Sequence, residues 1–403
     1  MRIAVFHNLQ CGGGVKRALY NLTKHLVMMG HVVDAFVPGS ADETFLPMKE
    51  VASSHRVFPI QRTLRGTASA VLRRLGHLRS SWVDYEGTQR SIAKAINAGS
   101  YDVVLTEHDS WTKAPFILKY LAGPVVYYCP EPDRSQEAIL DAAWRPAATQ
   151  ERFRWWRDRR DKYLQRWHTQ IDKDNARFAS YVVTNSYFSH EAILRAFGAN
   201  AFVSYLGTDV EVFRPLGGPR EDYVLSVGGC HHAKGFDFLI RSLGRMDPKL
   251  RPPLVVVANV SEPPWEAHLV RLAASLNVDL RIKVGVSDYE LVLWYNQAKL
   301  FVYAPYLEPF GLVVLEAMAC ETPVIAVKEG GVRESVIHNE TGILVDREEE
   351  AFAQAISELL QDDLQRERLA CRALEAVRSF WTWQHAAKRL EGHLVRCANQ
   401  RRA

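Results

Sequence analysis

The sequence predicts an α/β protein with two domains, each built on its own parallel β-sheet. The first observation behind this fold class is length: 403 residues exceed one compact core and suit two domains of about 150–200 residues. The second is that short β-rich runs alternate with longer helical patterns, in two successive series. Two domains imply a cleft between them.

The first series of predicted strands occupies the N-terminal half of the chain. Its members are short runs rich in valine, isoleucine and aromatic residues, and the stretches between them have the length and periodicity of helices. The predicted strands are Ile3–His7, Val32–Val37, Val103–Thr106, Val125–Cys129, Tyr181–Asn185 and Phe202–Leu206.

The second series begins after a turn-rich stretch, Arg214–Pro219, which we expect to lie in the hinge between the domains. This boundary predicts an N-terminal domain over 1–207 and a C-terminal domain over 208–379. The strands predicted in the second domain are Tyr223–Val227, Leu254–Ala258, Leu280–Val284, Leu300–Tyr303, Pro323–Val327 and Gly342–Val345.

Charge is unevenly distributed along the chain. The net charge is +4, with a basic first half and an acidic second half. Two basic segments, 62–79 and 145–167, mix arginines with leucine or tryptophan. Such segments either pack an apolar face on the core or dock on an anionic membrane surface, and nucleic acid is a less expected partner. Because no apolar run approaches about 18 residues, we expect a cytoplasmic protein, at most peripheral on the inner face of the membrane.

The most informative string runs from Glu308 to Glu316, after a predicted strand and into a helical stretch. Pro309 and Gly311 favour a loop that enters a helix, so the free backbone N–H groups around Gly311 to Val313 are available to bind phosphate. The two carboxylates bracket this anion site and can accept hydrogen bonds from hydroxyl groups. A nucleotide sugar supplies both kinds of group, with sugar hydroxyls on one side of its diphosphate and ribose hydroxyls on the other.

This string, together with Val224–Gly228, Lys234-Gly235 and Gly330–Glu334, resembles glycosyltransferase family four (group 1), the retaining glycosyltransferases of the GT-B fold. The resemblance implies two Rossmann-like domains whose parallel sheets face a central cleft. It also implies a C-terminal helix, here within 380–403 and capped by Thr382, that crosses back to the first domain.

The resemblance further implies which residues bind the donor, a UDP- or GDP-sugar. By position, Glu308 contacts the donor sugar and Glu316 the ribose, while the amides of Leu312 and Val313 bind the diphosphate. The same loop contributes Phe310 and Gly311.

A glycine loop, Gly12–Gly14, follows the first predicted strand, and Gly13 and Gly14 are expected on the donor side. The loop lacks the GxGxxG pattern. The second strand ends in Val37-Pro38-Gly39 without the acidic residue that an NAD-binding enzyme needs, which disfavours a nicotinamide cofactor.

Lys234 is the residue expected to offset the charge of the departing nucleoside diphosphate, so Lys234 and Glu308 are the predicted catalytic pair. The family commonly has an arginine five residues before this lysine, where this chain has Gly229. His231 and His232 lie between the two positions and are either exposed loop residues or, if protonated, a partial substitute for that cation.

The first domain departs from the family pattern as well. Pro130 occupies the position where many members place a histidine close to the donor sugar and the acceptor. His108 and Glu131 are the nearest polar candidates for that side of the site, or they are loop residues without a chemical role.

No metal or other cofactor is expected. The one D-x-D string, Asp172-Lys173-Asp174, lies in a charged helical stretch and is interpreted as a solvated face. The resemblance implies that the acceptor hydroxyl attacks on the face from which the diphosphate leaves, so no protein nucleophile is needed.

The sequence therefore predicts a retaining glycosyltransferase of the hexosyltransferase type that acts on a saccharide or lipid-linked acceptor. By resemblance, its setting is the synthesis of polysaccharide, lipopolysaccharide or another cell-envelope glycan. Two alternatives stay open: a non-catalytic protein that binds sugar nucleotides, and a sugar-phosphate synthase or phosphorylase on the same fold.

Overall fold

The protein folds around two parallel β-sheets, as the sequence predicts. The computed structural model describes residues 1–10, 13–60, 85–131 and 154–400. The first sheet has seven strands in the order β3-β2-β1-β4-β5-β6-β7, all paired in parallel. These strands are β1 (Arg2–Asn8), β2 (Val32–Pro38), β3 (Ser54–Phe58), β4 (Val103–Asp109), β5 (Val125–Tyr128), β6 (Tyr181–Thr184) and β7 (Ala201–Val203).

The second sheet has six strands in the order β10-β9-β8-β11-β12-β13, and its pairs are also parallel. In both sheets the strand order reverses direction beside the first strand of the domain, and ligands of open α/β sheets bind outside the carboxyl ends of the strands at such a point. The strands are β8 (Glu221–Val227), β9 (Leu254–Ala258), β10 (Leu280–Val284), β11 (Ala298–Tyr303), β12 (Val324–Val327) and β13 (Ile343–Val345).

Helices cover both faces of the sheets. Within β1, Ile3 and Val5 pack into one hydrophobic cluster and Ala4 and Phe6 into another, as expected for strands buried on both sides. The helices are α1 (Gly14–Met28), α2 (85–97), α3 (Arg154–Ala176), α4 (Tyr187–Phe197), α5 (Phe236–Arg245), α6 (Pro263–Ser275), α7 (Asp288–Gln297), α8 (Leu312–Ala319), α9 (Val332–Ser335), α10 (Glu349–Gln361), α11 (Asp363–Phe380) and α12 (Trp383–Asn399).

One strand was not predicted, and another ends three residues before its predicted end. β3 was not predicted because it is a partly exposed edge strand with polar residues such as His55 and Arg56, so it lacks an apolar run. The predicted strand Phe202–Leu206 starts one residue earlier, as β7, and ends at Val203. Two residues beyond this end, Tyr205 packs on Trp381, with ring centroids 5.1 Å apart.

The chain crosses between the domains twice, and the two crossings lie side by side. The backbone N–H of Thr208 donates to the carbonyl of Trp381 at 2.7 Å, and that of Trp383 donates to Thr208 at 3.3 Å. Helix α12 then begins, capped by the Thr382 side chain, which accepts from the backbone N–H of His385. Its Arg389 donates to the carbonyls of Tyr205 and Leu206 in the first domain. The predicted C-terminal helix that crosses back is thereby confirmed.

Gly207 lets the two crossings approach each other. A Cβ atom at this position would lie 2.4 Å from the carbonyl carbon and oxygen of Thr382. We therefore expect Gly207→Ala to lower the free energy of unfolding by about 1–3 kcal/mol, the usual cost of overpacking. Gly392, inside α12, has open space around its Cβ position, so Gly392→Ala should raise that free energy by about 1 kcal/mol. Equal effects of the two substitutions in chemical denaturation would contradict this account.

The structure corrects one sequence interpretation and leaves another outside the described residues. Asp172 of the D-x-D string is buried, not solvated, and accepts from the backbone N–H of Ala114 at 3.3 Å. The basic segment 62–79 lies outside the described residues, as does the first part of segment 145–167, whereas residues 154–167 belong to α3. Among the residues that the structure describes, no helix is both long and apolar enough to span a membrane.

Candidate active site

The loop between β11 and α8 presents a helix N-terminus to the cleft. Gly311 precedes α8 in the left-handed region, with φ 89°, and a Cβ there would lie 3.1 Å from the Tyr303 hydroxyl. The backbone N–H of Val314 makes the first hydrogen bond of the helix, to the carbonyl of Gly311 at 3.1 Å. The N–H groups of Leu312 and Val313 therefore have no acceptor within the helix. Both residues are partly exposed, so these amides can bind an anion.

Lys234 and Glu308 lie together at this N-terminus. The ammonium of Lys234 donates to Oε2 of Glu308 at 2.6 Å, and the two side chains are 22% and 24% exposed. Lys234 ends a short 3-10 turn that is followed by Gly235 with φ 65°. A Cβ at Gly235 would lie 1.9 Å from the Ala304 carbonyl oxygen, so only glycine allows the turn to pack on the end of β11. The structure thus brings the predicted catalytic pair into contact.

Two adjacent glycines, Gly330 and Gly331, support the loop that carries Glu308. The backbone N–H of Gly331 donates to the carbonyl of Glu308 at 2.9 Å. A Cβ at Gly331 would lie 2.0 Å from the Pro309 carbonyl oxygen, and one at Gly330 would lie 2.3 Å from that of Glu308. The resemblance included both glycines, and their close approach to the loop backbone gives a physical reason for their presence.

Glu316 lies one turn into α8 and is 5% exposed. Its Oε2 accepts from the Tyr295 hydroxyl at 3.0 Å. Burial raises the pKa of Glu316, and the nearby Arg17 and the Tyr295 hydrogen bond oppose that rise. Glu316 lines a pocket of about 160 Å³ between the domains, which Arg17 and Asp288 also line.

The first domain meets the loop between β11 and α8 through the start of α1. A Cβ at Gly14 would lie 3.4 Å from Cδ1 of Leu312, so Gly14 faces the N-terminus of α8. One turn later, Arg17 forms a bidentate ion pair with Asp288 of the second domain, at 3.0 and 2.8 Å. Sequence reasoning missed Arg17 and Asp288. Gly14 and Arg17 are three residues apart and so share one face of a helix. This spacing could have indicated that Arg17 also faces the second domain.

His231 does not supply a second cation. Burial, followed by the charge of Lys234, lowers the pKa of His231 from 6.5 to about 4, so its ring is neutral near neutral pH. The ring packs against Gly229, where a Cβ would lie 3.0 Å from Cδ2 of His231. The sequence leaves His231 as an exposed loop residue or a substitute cation, and in the structure it is a half-buried loop residue. The ring of His232 lies edge-on to the buried Trp265, with ring centroids 6.3 Å apart.

His108 lies near the carboxyl end of β4, and Glu131 follows the neighbouring strand β5. Nδ1 of His108 lies 3.2 Å from Oε1 of Glu107, and this carboxylate also accepts from the His108 backbone N–H at 3.0 Å. Burial raises the pKa of Glu107 to about 8. Glu131 accepts from Lys113 at 3.4 Å. These contacts lie within the first domain, at the carboxyl edge of its sheet.

A buried polar cluster lies at the start of α1. Lys16 is 1% exposed and donates to Glu43. Nε2 of His7 lies 3.1 Å from the Glu43 carboxylate and 3.2 Å from the Lys16 ammonium, and Nδ1 lies 3.4 Å from the backbone nitrogen of Leu9. Burial lowers the pKa of His7 from 6.5 to about 4, so this imidazole is neutral and Lys16 carries the charge that pairs with Glu43.

This cluster predicts a loss of stability in mild acid. Folded His7 binds its proton only below about pH 4, whereas unfolded histidine binds it below pH 6.5. The contribution of neutral His7 to the free energy of unfolding is therefore complete above pH 6.5 and decreases as the pH drops to about 4. Over this range the free energy of unfolding should fall by an amount on the order of 3 kcal/mol. The carboxyl of Glu43, whose pKa is lowered from 4.5 to about 2, changes the free energy of unfolding at lower pH, between 4.5 and about 2. The free energy of unfolding, measured by chemical denaturation at a series of pH values, should depend less steeply on pH between 6.5 and about 4 in His7→Gln than in the parent. An unchanged dependence would contradict the assignment.

Comparison with known proteins matches two successive parts of the chain to two glycosyltransferase family models. Residues 12–212 match the family described as Glycosyltransferase Family 4, and residues 211–375 match Glycosyl transferases group 1. The chain belongs to the group 1 glycosyltransferases. The first match spans the domain with the glycine loop, and the second spans the domain with Lys234, Glu308 and Glu316.

Curated relatives of this glycosyltransferase include D-inositol 3-phosphate glycosyltransferases. That of Corynebacterium diphtheriae is 31% identical over 236 residues, covering 53% of this chain and 55% of the relative. That of Frankia alni is 36% identical over 203 residues, covering 45% and 49%. The chain thus spans about half the length of the curated relatives it matches.

Solved structures show the same GT-B architecture across the whole glycosyltransferase. Anabaena HepE in complex with UDP has a TM-score of 0.73 at 18% identity, covering 98% of this chain and 100% of that one. Sucrose-phosphate synthase from Thermosynechococcus elongatus has a TM-score of 0.70 at 21% identity and covers 98% of both chains. WaaG, involved in lipopolysaccharide biosynthesis, has a TM-score of 0.61 at 15% identity, with 96% and 98% covered. These similarities establish a common fold.

Proposed function

We propose that this glycosyltransferase transfers a sugar from a UDP- or GDP-sugar to a saccharide or lipid-linked acceptor, with retention of anomeric configuration and without a metal ion. The observation that carries the proposal is the 2.6 Å contact of Lys234 with Glu308 beside the N-terminus of α8. A cation, free amides and a carboxylate there match the diphosphate and hydroxyl groups of a sugar nucleotide.

Each part of the donor has a partner in this arrangement. The amides of Leu312 and Val313 bind the diphosphate, and Lys234 offsets the charge that gathers on it as it leaves. Glu316, in the pocket between the domains, accepts from the ribose hydroxyls, and Glu308 accepts from the donor sugar. Gly13 and Gly14 close the diphosphate side from the first domain. The solved complexes of HepE with UDP and UDP-glucose support this class of donor.

Retention follows from attack on the face that the leaving group vacates. The acceptor oxygen bonds to the anomeric carbon as the bond to the diphosphate oxygen breaks, and that phosphate oxygen takes the acceptor proton. Lys234 and the helix amides supply fixed positive charge where negative charge develops, the task that a metal ion performs in other transferases.

The acceptor is proposed from the relatives and from charge. D-inositol 3-phosphate glycosyltransferases and the lipopolysaccharide enzyme WaaG support a polar or anionic saccharide acceptor, in polysaccharide, lipopolysaccharide or other cell-envelope synthesis. His108 and Glu131, at the carboxyl edge of the first sheet, are the proposed acceptor-side groups. Gly229 and Pro130 favour a second candidate, a protein that binds sugar nucleotides without turning them over.

Helix α3 carries a face suited to an anionic membrane on the cytoplasmic side. Arg159, Tyr163, Arg166 and Trp167 share one side of the helix and are exposed, Tyr163 by 70%. We expect salt-sensitive co-sedimentation with vesicles that contain phosphatidylglycerol, and weaker binding by the Tyr163→Ser, Trp167→Ser double variant. Equal sedimentation with neutral phosphatidylcholine vesicles would contradict docking by charge.

The function is tested by donor turnover in EDTA. The purified protein is incubated with UDP- and GDP-hexoses and a panel of saccharide and lipid-linked acceptors, and the product is analysed by NMR. The proposal predicts EDTA-insensitive release of one nucleoside diphosphate and a product with the anomeric configuration of the donor. An inverted product, or turnover that requires a divalent cation, would contradict it, and donor binding without turnover would favour the non-catalytic candidate.

A further inference from the structure

Glu334 connects the two domains. It lies in α9 of the second domain, and its carboxylate reaches the N-terminus of α4 in the first. Oε2 accepts from the backbone N–H of Tyr187 at 2.8 Å, and Oε1 accepts from that of Phe188 at 2.9 Å. The hydroxyl of Tyr205 donates to Oε2 at 2.9 Å. A carboxylate that accepts helix N-terminal amides makes charge-assisted hydrogen bonds with the favourable end of the helix dipole.

Glu334 is hydrogen-bonded to the glycine pair, Gly330 and Gly331, that supports the loop between β11 and α8. We call this loop, which carries Glu308, the donor loop. The backbone N–H of Glu334 donates to the carbonyl of Gly331 at 3.0 Å. Gly331 in turn donates to the carbonyl of Glu308, and both glycines of the pair abut the backbone of residues 308 and 309. A displacement of Glu334 therefore displaces the backbone of Gly330 and Gly331, against which the donor loop packs.

A second route connects the same residues through aromatic side chains. Tyr205, which donates to Glu334, has its ring centroid 6.4 Å from that of Phe310 in the donor loop. Phe310 is buried, and its ring centroid lies 5.9 Å from that of Trp381 at the chain crossing. Phe310 of the donor loop therefore packs against Trp381 and against Tyr205, the residue that donates a hydrogen bond to Glu334.

We infer that Glu334 is a positioning residue that fixes the domain arrangement in which the donor loop faces Gly14 at the start of α1 in the first domain. Its effect on turnover rests on the proposed function, whereas its effect on the domain contact does not. Glu334 acts through the backbone of the donor loop and through Tyr205.

The domain contact is tested by hydrogen exchange on the full-length protein without ligand. In Glu334→Gln the amides of Tyr187 and Phe188 lose their charged acceptor, so we expect exchange there, and in the donor loop over 308–313, to be faster by about tenfold or more. Glu340→Gln is the matched control because Glu340 is exposed, lies on the same segment and carries the same charge. Unchanged exchange over 308–313 in Glu334→Gln would overturn the inference.

The consequence for turnover is tested by separating kcat from affinity. For Glu334→Gln we expect kcat to fall by about tenfold while the Kd of UDP, measured by calorimetry, changes by less than about threefold. Glu334→Asp, which keeps the carboxylate, should recover part of the loss. A parent-like kcat, or an equal loss in kcat and UDP affinity, would overturn the inference. If the parent protein binds no UDP or GDP, the proposed function fails, and the exchange experiment still decides the role of Glu334.

Discussion

Replacing Lys234 with alanine is expected to lower kcat for sugar transfer by about 100-fold or more, the usual cost of removing a group that stabilises charge developing in the transition state. The ammonium already lies 2.6 Å from Glu308, beside the amides that bind the diphosphate in our proposal. Because the leaving group gains charge as its bond breaks, most of the Lys234 interaction develops in the transition state. The Kd of the intact sugar nucleotide, in which this charge has not yet developed, should therefore rise by less than about tenfold.

The matched control for this experiment is Lys249→Ala. Lys249 is an exposed lysine in a loop of the same domain, and its loss should leave kcat unchanged. Measurements on Lys234→Ala should be made with saturating donor, so that any change in affinity does not enter kcat. Transfer by Lys234→Ala at the parent rate would exclude the assigned role.

Replacing Glu316 with glutamine should weaken donor binding and stabilise the fold at the same time. A lost hydrogen bond to a charged group corresponds to a rise of about 10- to 100-fold in the Kd of UDP. Burial raises the pKa of Glu316, so the destabilising effect of its ionised form is absent below pH 4.5 and develops as the pH rises. Glutamine removes the buried charge and keeps an oxygen for the Tyr295 hydroxyl, so Tm should rise above that of the parent near neutral pH.

A ribose analogue identifies the group that Glu316 binds. In the parent protein, 2′-deoxy-UDP should bind more weakly than UDP. In Glu316→Gln the difference between the two nucleotides should be smaller, because the acceptor that distinguishes them has lost its charge. If the difference between UDP and 2′-deoxy-UDP is the same in both proteins, Glu316 does not bind the 2′-hydroxyl of the ribose. A lower Tm for Glu316→Gln would contradict the account of its burial.

The fold was predictable from sequence because its signal is local. The strands Leu254–Ala258 and Leu280–Val284 have the predicted bounds, since the first is a buried apolar run and the second alternates apolar and basic residues, as a partly exposed strand does. The donor loop was predictable for the same reason, because Glu308, Gly311 and Glu316 lie within one loop and the helix that follows it. The weak points were edge strand β3, which has no apolar run, and the shortened β7, which ends before its predicted end.

The contacts between the domains were not predictable in this way. Arg17 pairs with Asp288 across 271 positions of the chain, and Glu334 reaches Tyr187 across 147. Charged side chains of this kind are typical of any exposed helix face, so only the folded arrangement distinguishes them. The same holds for His231, since its burial against Gly229 depends on how the loop after β8 packs.

The most direct test of the central claim is calorimetric titration of the purified protein with UDP, GDP and their common sugar conjugates, each with and without EDTA. Our account predicts that one nucleotide and its sugar conjugate bind selectively, with the same affinity in EDTA, and that Glu316→Gln weakens this binding. If the folded protein binds none of these nucleotides, or binds them only with a divalent cation, the donor site assigned to Lys234, Glu308, Glu316 and the α8 amides is wrong.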